Sequence, residues 1–438
     1  MDLLKKIQEK KATVAIVGLG YVGLPLSIAF LKNGFKVIGL DNDDYKIKKL
    51  SRGKSYLQHV NSDLLPDSVK EGNFIPSLDF ALIKKSDVII LCVPTPLNKY
   101  REPDLKPIIE SASKIKEYLK KDQLVVLESS TYPGTTDEIL TKELEKSGFK
   151  ANKDFYISYS PEREDPGNKK YSTTTIPKII GANTAYSRKL SEKLYKQVVS
   201  EVVTVSSSRT AEATKLTENI FRGVNIALVN ELKTIYDAMG IDIWEVIDAA
   251  STKPFGYMPF YPGPGLGGHC IPIDPFYLTY KAKEYGVPTK FIELAGEINT
   301  SMPYFVVDKI VDALSNYQGK AINGASIFII GLAYKNDIDD LRESPALMLL
   351  DILDKKGAKM SYHDEFIPVI PKINGYLNFK GKKSLGLTKK NLKSMDLTLI
   401  ITNHSYLDID LIGKNSNLIV DTRNSMKGHT ASCQVIKA

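Results

Sequence analysis

The chain has 438 residues, 43% hydrophobic and 25% charged, with 59 Lys and Arg against 51 Asp and Glu for a formal net charge of +8. That length exceeds one ordinary core, so two or three globular domains are expected. The longest apolar runs, such as 88–93 and 327–332, are strand-sized and far short of the roughly 18 uninterrupted residues of a membrane span. The charged residues 1–11 contain no apolar signal core and are expected to lead straight into a strand, in a cytoplasmic protein. The basic residues are scattered, without the clustered stripes and interleaved aromatics of a nucleic-acid binder, and suit a diphosphate-bearing small molecule. Three cysteines, Cys92, Cys270 and Cys433, are too few for a disulfide framework and fit a reducing compartment. Cys92 lies in an apolar run and reads as a buried, inert thiol. Cys433 reads as an idle residue of the C-terminal tail. The five histidines are scattered and no Cys/His pair has ligand spacing, so no metal site is expected.

Residues 13–17 predict a strand, 18–23 a turn, and 24–33 a helix stopped by Gly34. Residues 36–40 predict a second strand that ends at Asp41. Further strands are expected at 87–93, 123–129 and 155–158, with one more helix and strand within 178–205. This alternation predicts a parallel sheet with helices on both faces. From Arg209 the pattern changes: 210–239 has helical periodicity and no proline, 244–250 predicts another helix, and 253–275 is a Pro/Gly-rich loop before helix resumes to about residue 314. From Ala325 the alternation returns, with strands at 326–331, 359–362, 397–402 and 418–420 and a helix at 344–356. The expected fold is α/β, two Rossmann-like doubly wound domains joined by a central helical region with a long helix. The expected boundaries are 1–206, 207–315 and 316–438. The last domain begins Gly331-Leu332-Ala333-Tyr334-Lys335, without a GxGxxG, and is not expected to hold a second dinucleotide.

Gly18-Leu19-Gly20-Tyr21-Val22-Gly23 matches G-x-G-x-x-G in the right place, after the first strand and at the start of the first helix. Glycines there permit a tight turn and close approach to a pyrophosphate seated on the helix N-terminus. Asp41, at the end of the second strand, can accept hydrogen bonds from a ribose hydroxyl and would repel a 2′-phosphate, so NAD is expected over NADP. Pro94 and Thr95 follow one strand, and Ser129-Ser130-Thr131 follows the next. Both lie at the sheet edge where such folds bind ligands.

The stretch Gly263-Pro264-Gly265-Leu266-Gly267-Gly268-His269-Cys270-Ile271-Pro272-Ile273-Asp274-Pro275 puts a thiol at the end of a glycine-rich loop, with a carboxylate four residues on. With NAD present, a thiol can trap an aldehyde as a thiohemiacetal and, after a second oxidation, leave a thioester for water to cleave. Asp274 could serve that water or cap the next helix. His269 adjoins Cys270, and because neighbouring side chains usually point apart it is expected to serve structure or substrate contact rather than act as the base. Lys215 and Asn219 share one helical face, which Arg222 continues. An ammonium and a carboxamide there could stabilise an oxyanion. Lys215 could instead be a base if its pKa is depressed. Glu162 could move protons through water, and Arg163 could hold an anion. Lys335, Arg342 and Arg423 are cations near strand ends, suited either to a diphosphate or to surface pairing.

Together, Gly18–Gly23, Ser129-Ser130-Thr131, Ser160-Pro161-Glu162, Lys215-Leu216-Thr217-Glu218-Asn219 and Gly267-Gly268-His269-Cys270 resemble the UDP-glucose/GDP-mannose dehydrogenase family, from Val14 to about Asn424. The resemblance implies an N-terminal NAD domain, a dimerising helical centre and a C-terminal domain for the nucleotide of a UDP-sugar. It also implies four-electron oxidation of a sugar C6 alcohol to a carboxylate for surface polysaccharide or lipopolysaccharide assembly. Carried over, Cys270 is the nucleophile, Lys215 and Asn219 stabilise oxyanions, Asp274 and Thr131 serve the water, and Glu162 assists proton transfer. The substrate set is Glu162, Arg163, Lys215, Asn219, Arg222, Phe260, Tyr261, Gly265, Gly267, Gly268, Lys335 and Arg342. UDP-glucose members carry a lysine before the loop aspartate, where this chain has Ile273. The loop and the apolar run 253–261 look like the branch acting on UDP-N-acetylhexosamines, with the N-acetylglucosamine form first. The mannosamine, galactosamine and glucose sugars stay open. Two other classes compete: a two-electron hydroxyacid-type dehydrogenase, which needs no cysteine, and a non-catalytic nucleotide-sugar or NAD sensor.

Overall fold

The computed structural model describes residues 1–57, 60–98, 100–163, 171, 174–268 and 271–438. The chain divides into two compact units, Met1–Asn219 with Phe276–Pro288, and Ile220–Pro275 with Thr289–Ala438.

The first unit is built on eight strands among the described residues: β1 Thr13–Val17, β2 Lys36–Leu40, β3 Phe74–Ser77, β4 Val88–Leu91, β5 Leu124–Leu127, β6 Tyr156–Tyr159, β7 Lys178–Gly181 and β8 Val202–Val205. Their order in the sheet is β3-β2-β1-β4-β5-β6-β7-β8. Strands β4 and β5, and β1 after Thr13, are apolar because helices cover both faces. All pairs are parallel except β6 with β7, which meet antiparallel at Tyr159 and Gly181. The parallel doubly wound expectation holds, with that one reversal. The segment 178–205 adds two strands around the helix Ala185–Tyr195 where one strand was expected. β3, which contains Pro76, was not predicted. As an edge strand it tolerates the missing N–H.

Residues 1–11 do not run straight into β1. Leu3–Gln8 is a helix capped by Asp2, with Leu3 and Ile7 buried. Lys6 pairs with Asp87 at 2.7 Å, and the Asp87 carboxylate also accepts the Thr13 amide. Two apolar residues one turn apart were enough to dock a charged segment.

The second unit takes most of the long helix Ser208–Ala238, then the helices Ile243–Ala250 and Lys290–Gln318, the last ended by Gly319 in a left-handed conformation. Its parallel sheet has five strands among the described residues: β9 Ser326–Ile330, β10 Lys359–His363, β11 Leu397–Ile400, β12 Ile419–Asp421 and β13 Val435–Lys437, in the order β10-β9-β11-β12-β13. The C-terminal residues expected as a tail therefore supply an edge strand. Cys433 packs against the cluster around Phe328 and Ile412.

The two sheets repeat one local device. After β1, Gly18 (φ +90°) passes so close to β4's end that a Cβ would lie 2.6 Å from the Cys92 carbonyl oxygen. Asp41, after β2, accepts the Leu19 amide at 2.8 Å. After β9, Gly331 (φ +83°) would meet Thr402 at 2.5 Å, and Asp364 accepts the Leu332 amide at 2.7 Å. The echo seen in sequence only as architecture is thus a residue-level register, Gly-Leu-Gly against Gly-Leu-Ala. The copies differ where a cofactor would lie. Gly20 has no protein atom within 4 Å of an added Cβ. Ala333 is fully buried, and Asp364 also takes the Ala333, Phe366 and Ile367 amides and the His404 ring.

Candidate active site

The dinucleotide turn is shaped by three glycines with different duties. Gly18 clears Cys92, and a Cβ on Gly23 would strike the Gly18 carbonyl oxygen. Chain packing makes no such demand at Gly20, so its glycine leaves room for something outside the chain. Tyr21 and Val22 complete the turn, and the helix Gly23–Lys32 starts there. Asp41 is nearly buried and accepts from Leu19, from the Asp43 amide and from Lys46 at 3.0 Å. It braces the turn. After β4, Ser129 Oγ donates to the Val93 carbonyl at 2.7 Å, and Thr95's carbonyl accepts from Tyr277 at 2.9 Å. The segment holding Pro94 and Thr95 is thereby fixed.

Along the helix Ser208–Ala238, Glu212, Lys215 and Asn219 occupy one buried stripe. Glu212, which sequence reading missed, accepts the Gly134 amide at 2.6 Å and the Thr136 amide and hydroxyl at 2.8 and 2.7 Å, with Thr131 Oγ1 at 3.5 Å. Thr131 is fully buried against this carboxylate. Burial pushes the Glu212 carboxyl up to about 7, against the pull of those donors. Lys215 Nζ donates to the Glu162 carbonyl at 2.5 Å. Arg163, expected to hold an anion, pairs with Glu218 on the same helix at 2.7 Å. Arg222 is exposed. A second missed group lies beneath Glu162: Lys178 bonds both Glu128, at 2.8 Å, and Glu162, at 3.2 Å. The available signals were a glutamate closing the apolar run of β5, a lysine opening that of β7, and a glutamate one turn before Lys215.

The second unit contains the glycine-rich loop. Its start is tied down by buried asparagines: Asn230 accepts the Gly263 amide at 3.0 Å and donates to Asn299, which donates to the Gly223 carbonyl. Cβ atoms on Gly267 and Gly268 would collide with Tyr334, and one on Gly265 would crowd Pro345. Passage over the chain itself therefore accounts for these glycines. Phe260 packs on Phe221 and Tyr261 stacks on Trp244. Arg342 forks onto Asp340, at 2.6–3.0 Å, and its carbonyl accepts the Gly268 amide. A guanidinium expected to meet a diphosphate is thus engaged by its own loop. Lys335 lies in that loop. Arg423 spends Nε on the Ile401 carbonyl, and burial pushes its guanidinium down to about 10. His269 and Cys270 lie outside the described residues. Asp274 opens the helix Asp274–Lys283 and is buried. Among the described residues, no three His, Cys, Asp or Glu side chains are grouped to hold a metal, and no helix is long and apolar enough to cross a membrane.

Three family profiles match in succession, the NAD-binding, central and UDP-binding domains of the UDP-glucose/GDP-mannose dehydrogenase family, over residues 12–199, 209–301 and 328–428. The chain belongs to this family. It is an NAD-dependent UDP-sugar 6-dehydrogenase. It is 37% identical over 364 residues, 82% of this chain and 84% of the relative, to a UDP-N-acetyl-D-glucosamine 6-dehydrogenase of Pseudomonas aeruginosa. It is 32% identical over 421 residues, 94% and 96%, to a UDP-N-acetyl-D-mannosamine dehydrogenase of Pyrococcus horikoshii. The solved structure of the Pyrococcus horikoshii UDP-D-ManNAc dehydrogenase superposes with a TM-score of 0.85 at 31% identity, covering 97% of this chain and 99% of that one. The family's cofactor fits the open face at Gly20.

Two outcomes follow from this geometry. Gly18→Ala is expected to lower stability by more than about 2 kcal/mol, through the positive φ and the Cys92 clash. Gly20→Ala should keep the wild-type Tm yet weaken NAD binding at least about tenfold, a change of roughly 1.4 kcal/mol; calorimetry and titration separate the two. The folded Glu212 carboxyl keeps its proton to higher pH than the unfolded chain does. Its stabilising contribution is therefore full below the usual carboxylate range and is lost as pH rises through about 7. Glu212→Gln should flatten the decline of Tm from pH 5 to pH 8, an effect of at most about 3 kcal/mol; a decline as steep as wild type would show that Glu212 is not its source.

Proposed function

We propose that the enzyme oxidises the C6 alcohol of UDP-N-acetyl-D-glucosamine to the uronic acid, for surface polysaccharide assembly. The sugar assignment rests on the run Lys253-Pro254-Phe255-Gly256-Tyr257-Met258-Pro259-Phe260-Tyr261, an apolar aromatic wall suited to an acetamido methyl. Relatives bearing the glucosamine name support it. The runner-up is UDP-N-acetylmannosamine, favoured by the structural likeness to an enzyme of that name.

Bound NAD supplies the hydride acceptor in each of two oxidations. The amides of Gly18–Gly23 hold its pyrophosphate, Asp41 its ribose, and Pro94, Thr95 and Thr131 the strand-end side. Lys215 and Asn219 stabilise the C6 oxygen as it gains charge. Cys270 adds its sulfur to the aldehyde carbon, and oxidation of that adduct leaves a thioester. Water, assisted by Asp274, cleaves the C–S bond and returns the thiol. Glu162 relays protons through water, and Thr131 helps hold the turn that follows it against Glu212. Lys335 and Arg423, cations of the UDP-binding domain, would meet the diphosphate.

A homodimer through the central helices belongs to the same reading. Phe221, Leu228, Ile235 and Met239 are 50%, 50%, 45% and 62% exposed and recur near one helical face, as a covered seam would. Leu228→Glu with Ile235→Glu should halve the mass seen in sedimentation; a wild-type monomer would remove the dimer.

Limiting UDP-N-acetylglucosamine should yield two NADH per sugar consumed, and UDP-N-acetylmannosamine few or none. Cys270→Ala should bind NAD normally while acid formation falls about a thousandfold or more. One NADH per sugar with no effect of that substitution would favour the simple two-electron dehydrogenase; binding without turnover would favour a sensor.

A further inference from the structure

The most unusual charge arrangement in the first unit is the ion cluster beneath Glu162. Lys178 opens β7 with its side chain only 3% exposed. It bonds Glu128, which closes β5 and is fully buried, and Glu162, which follows β6 and is 13% exposed. Tyr195, from the helix Ala185–Tyr195, donates to the other Glu128 oxygen. Burying ions is unfavourable enough that such a cluster seldom adds stability over an apolar replacement. An apolar trio would fill this space, so the charges call for another reason. Glu128 and Tyr195 lie wholly inside. Glu162 is the member nearest solvent, and its own carbonyl accepts from Lys215.

We infer that Lys178 is a positioning residue for the reaction, holding the Glu162 carboxylate ionised and oriented, and through the Glu162 backbone placing the Lys215 ammonium. Glu128 neutralises part of the Lys178 charge and anchors it, with Tyr195 fixing the Glu128 carboxylate. Burial raises the carboxyl of Glu128, while the two neighbouring carboxylates raise that of Lys178, so the ammonium keeps its proton. One buried cation thus serves a strand-end segment and a helix, which carry the proposed reacting groups Glu162 and Lys215. This rests on the proposed role of Glu162.

The test is the pH profile of kcat/KM for the UDP-sugar with saturating NAD. Glu128→Gln removes the competing anion and leaves the Lys178–Glu162 pair, so the acid limb should move down. Glu128→Gln combined with Lys178→Met removes the cation without leaving an unpaired buried charge. Its acid limb should move up by about one pH unit, because the cation contacts Glu162 directly and Glu128 does not. Its neutral-pH kcat/KM should fall at least about tenfold, with NAD affinity and Tm near wild type. A purely structural cluster would change Tm and leave both limbs in place, and that result overturns the inference. Should the double variant not fold, an acid limb that fails to move down in Glu128→Gln does the same. Glu162→Gln separates the two levels. If it is fully active, the assigned role of Glu162 fails. If it is crippled while the limbs stay fixed in the other variants, the positioning role of Lys178 alone fails.

Discussion

The close crossing of Gly18 over the end of β4 is the contact on which the first unit depends. A doubly wound sheet reverses its direction of winding between β1 and β4, and the crevice outside the strand ends there is where ligands enter. Only a residue without a Cβ, at φ +90°, can leave β1 so near the Cys92 carbonyl. That approach sets where the following helix begins, and therefore where its free amides point. Asp41 secures the same turn from β2 by accepting the Leu19 amide. The C-terminal sheet uses the same crossing, with Gly331 against Thr402. It closes the place that Gly20 leaves open, by burying Ala333 and saturating Asp364. One backbone solution thus gives a dinucleotide site in one sheet and a stabilised strand end in the other.

A second constraint is the inner face of the helix Ser208–Ala238. Three residues on it, or beside it, reach two strand-end segments, one after β5 and one after β6. Glu212 gathers the amides of the turn after Thr131, Lys215 takes the Glu162 carbonyl, and Glu218 pairs with Arg163. Connecting segments of this kind seldom pack on themselves, and here one helix ties them down. The buried Glu212 carboxyl and the ions of the Lys178 cluster are unfavourable to bury in themselves, and their partners come from elements distant in sequence. They are therefore sensitive to any shift in how helix and sheet pack.

Much of the fold was legible because its signals are local. Apolar runs of five residues bounded by turns mark central strands, and a glycine fingerprint between a strand and a helix marks the cofactor turn. Lys215 and Asn219 could be paired from helical spacing alone. The N-terminal helix, the edge strands at 74–77 and 435–437, and the antiparallel step between β6 and β7 were not legible. Their sequences are short or charged, and docking against existing structure decides them. The loop glycines show a subtler limit. Sequence can say that no Cβ is allowed at Gly267 and Gly268, yet Tyr334 from another segment turns out to be the reason.

The sequence by itself determined the α/β class, the NAD-binding turn, the family and the order in which the chemical groups occur, because each depends on residues adjacent or one helical turn apart. Tertiary structure alone decided that Arg342 is engaged by Asp340, that Arg163 is paired with Glu218, and that Glu128, Lys178 and Glu162 share one buried charge cluster. The Arg342 pair is local, but the others join residues up to 55 positions apart, on elements brought together by sheet order and helix packing. No local pattern of residue types encodes which charge will meet which.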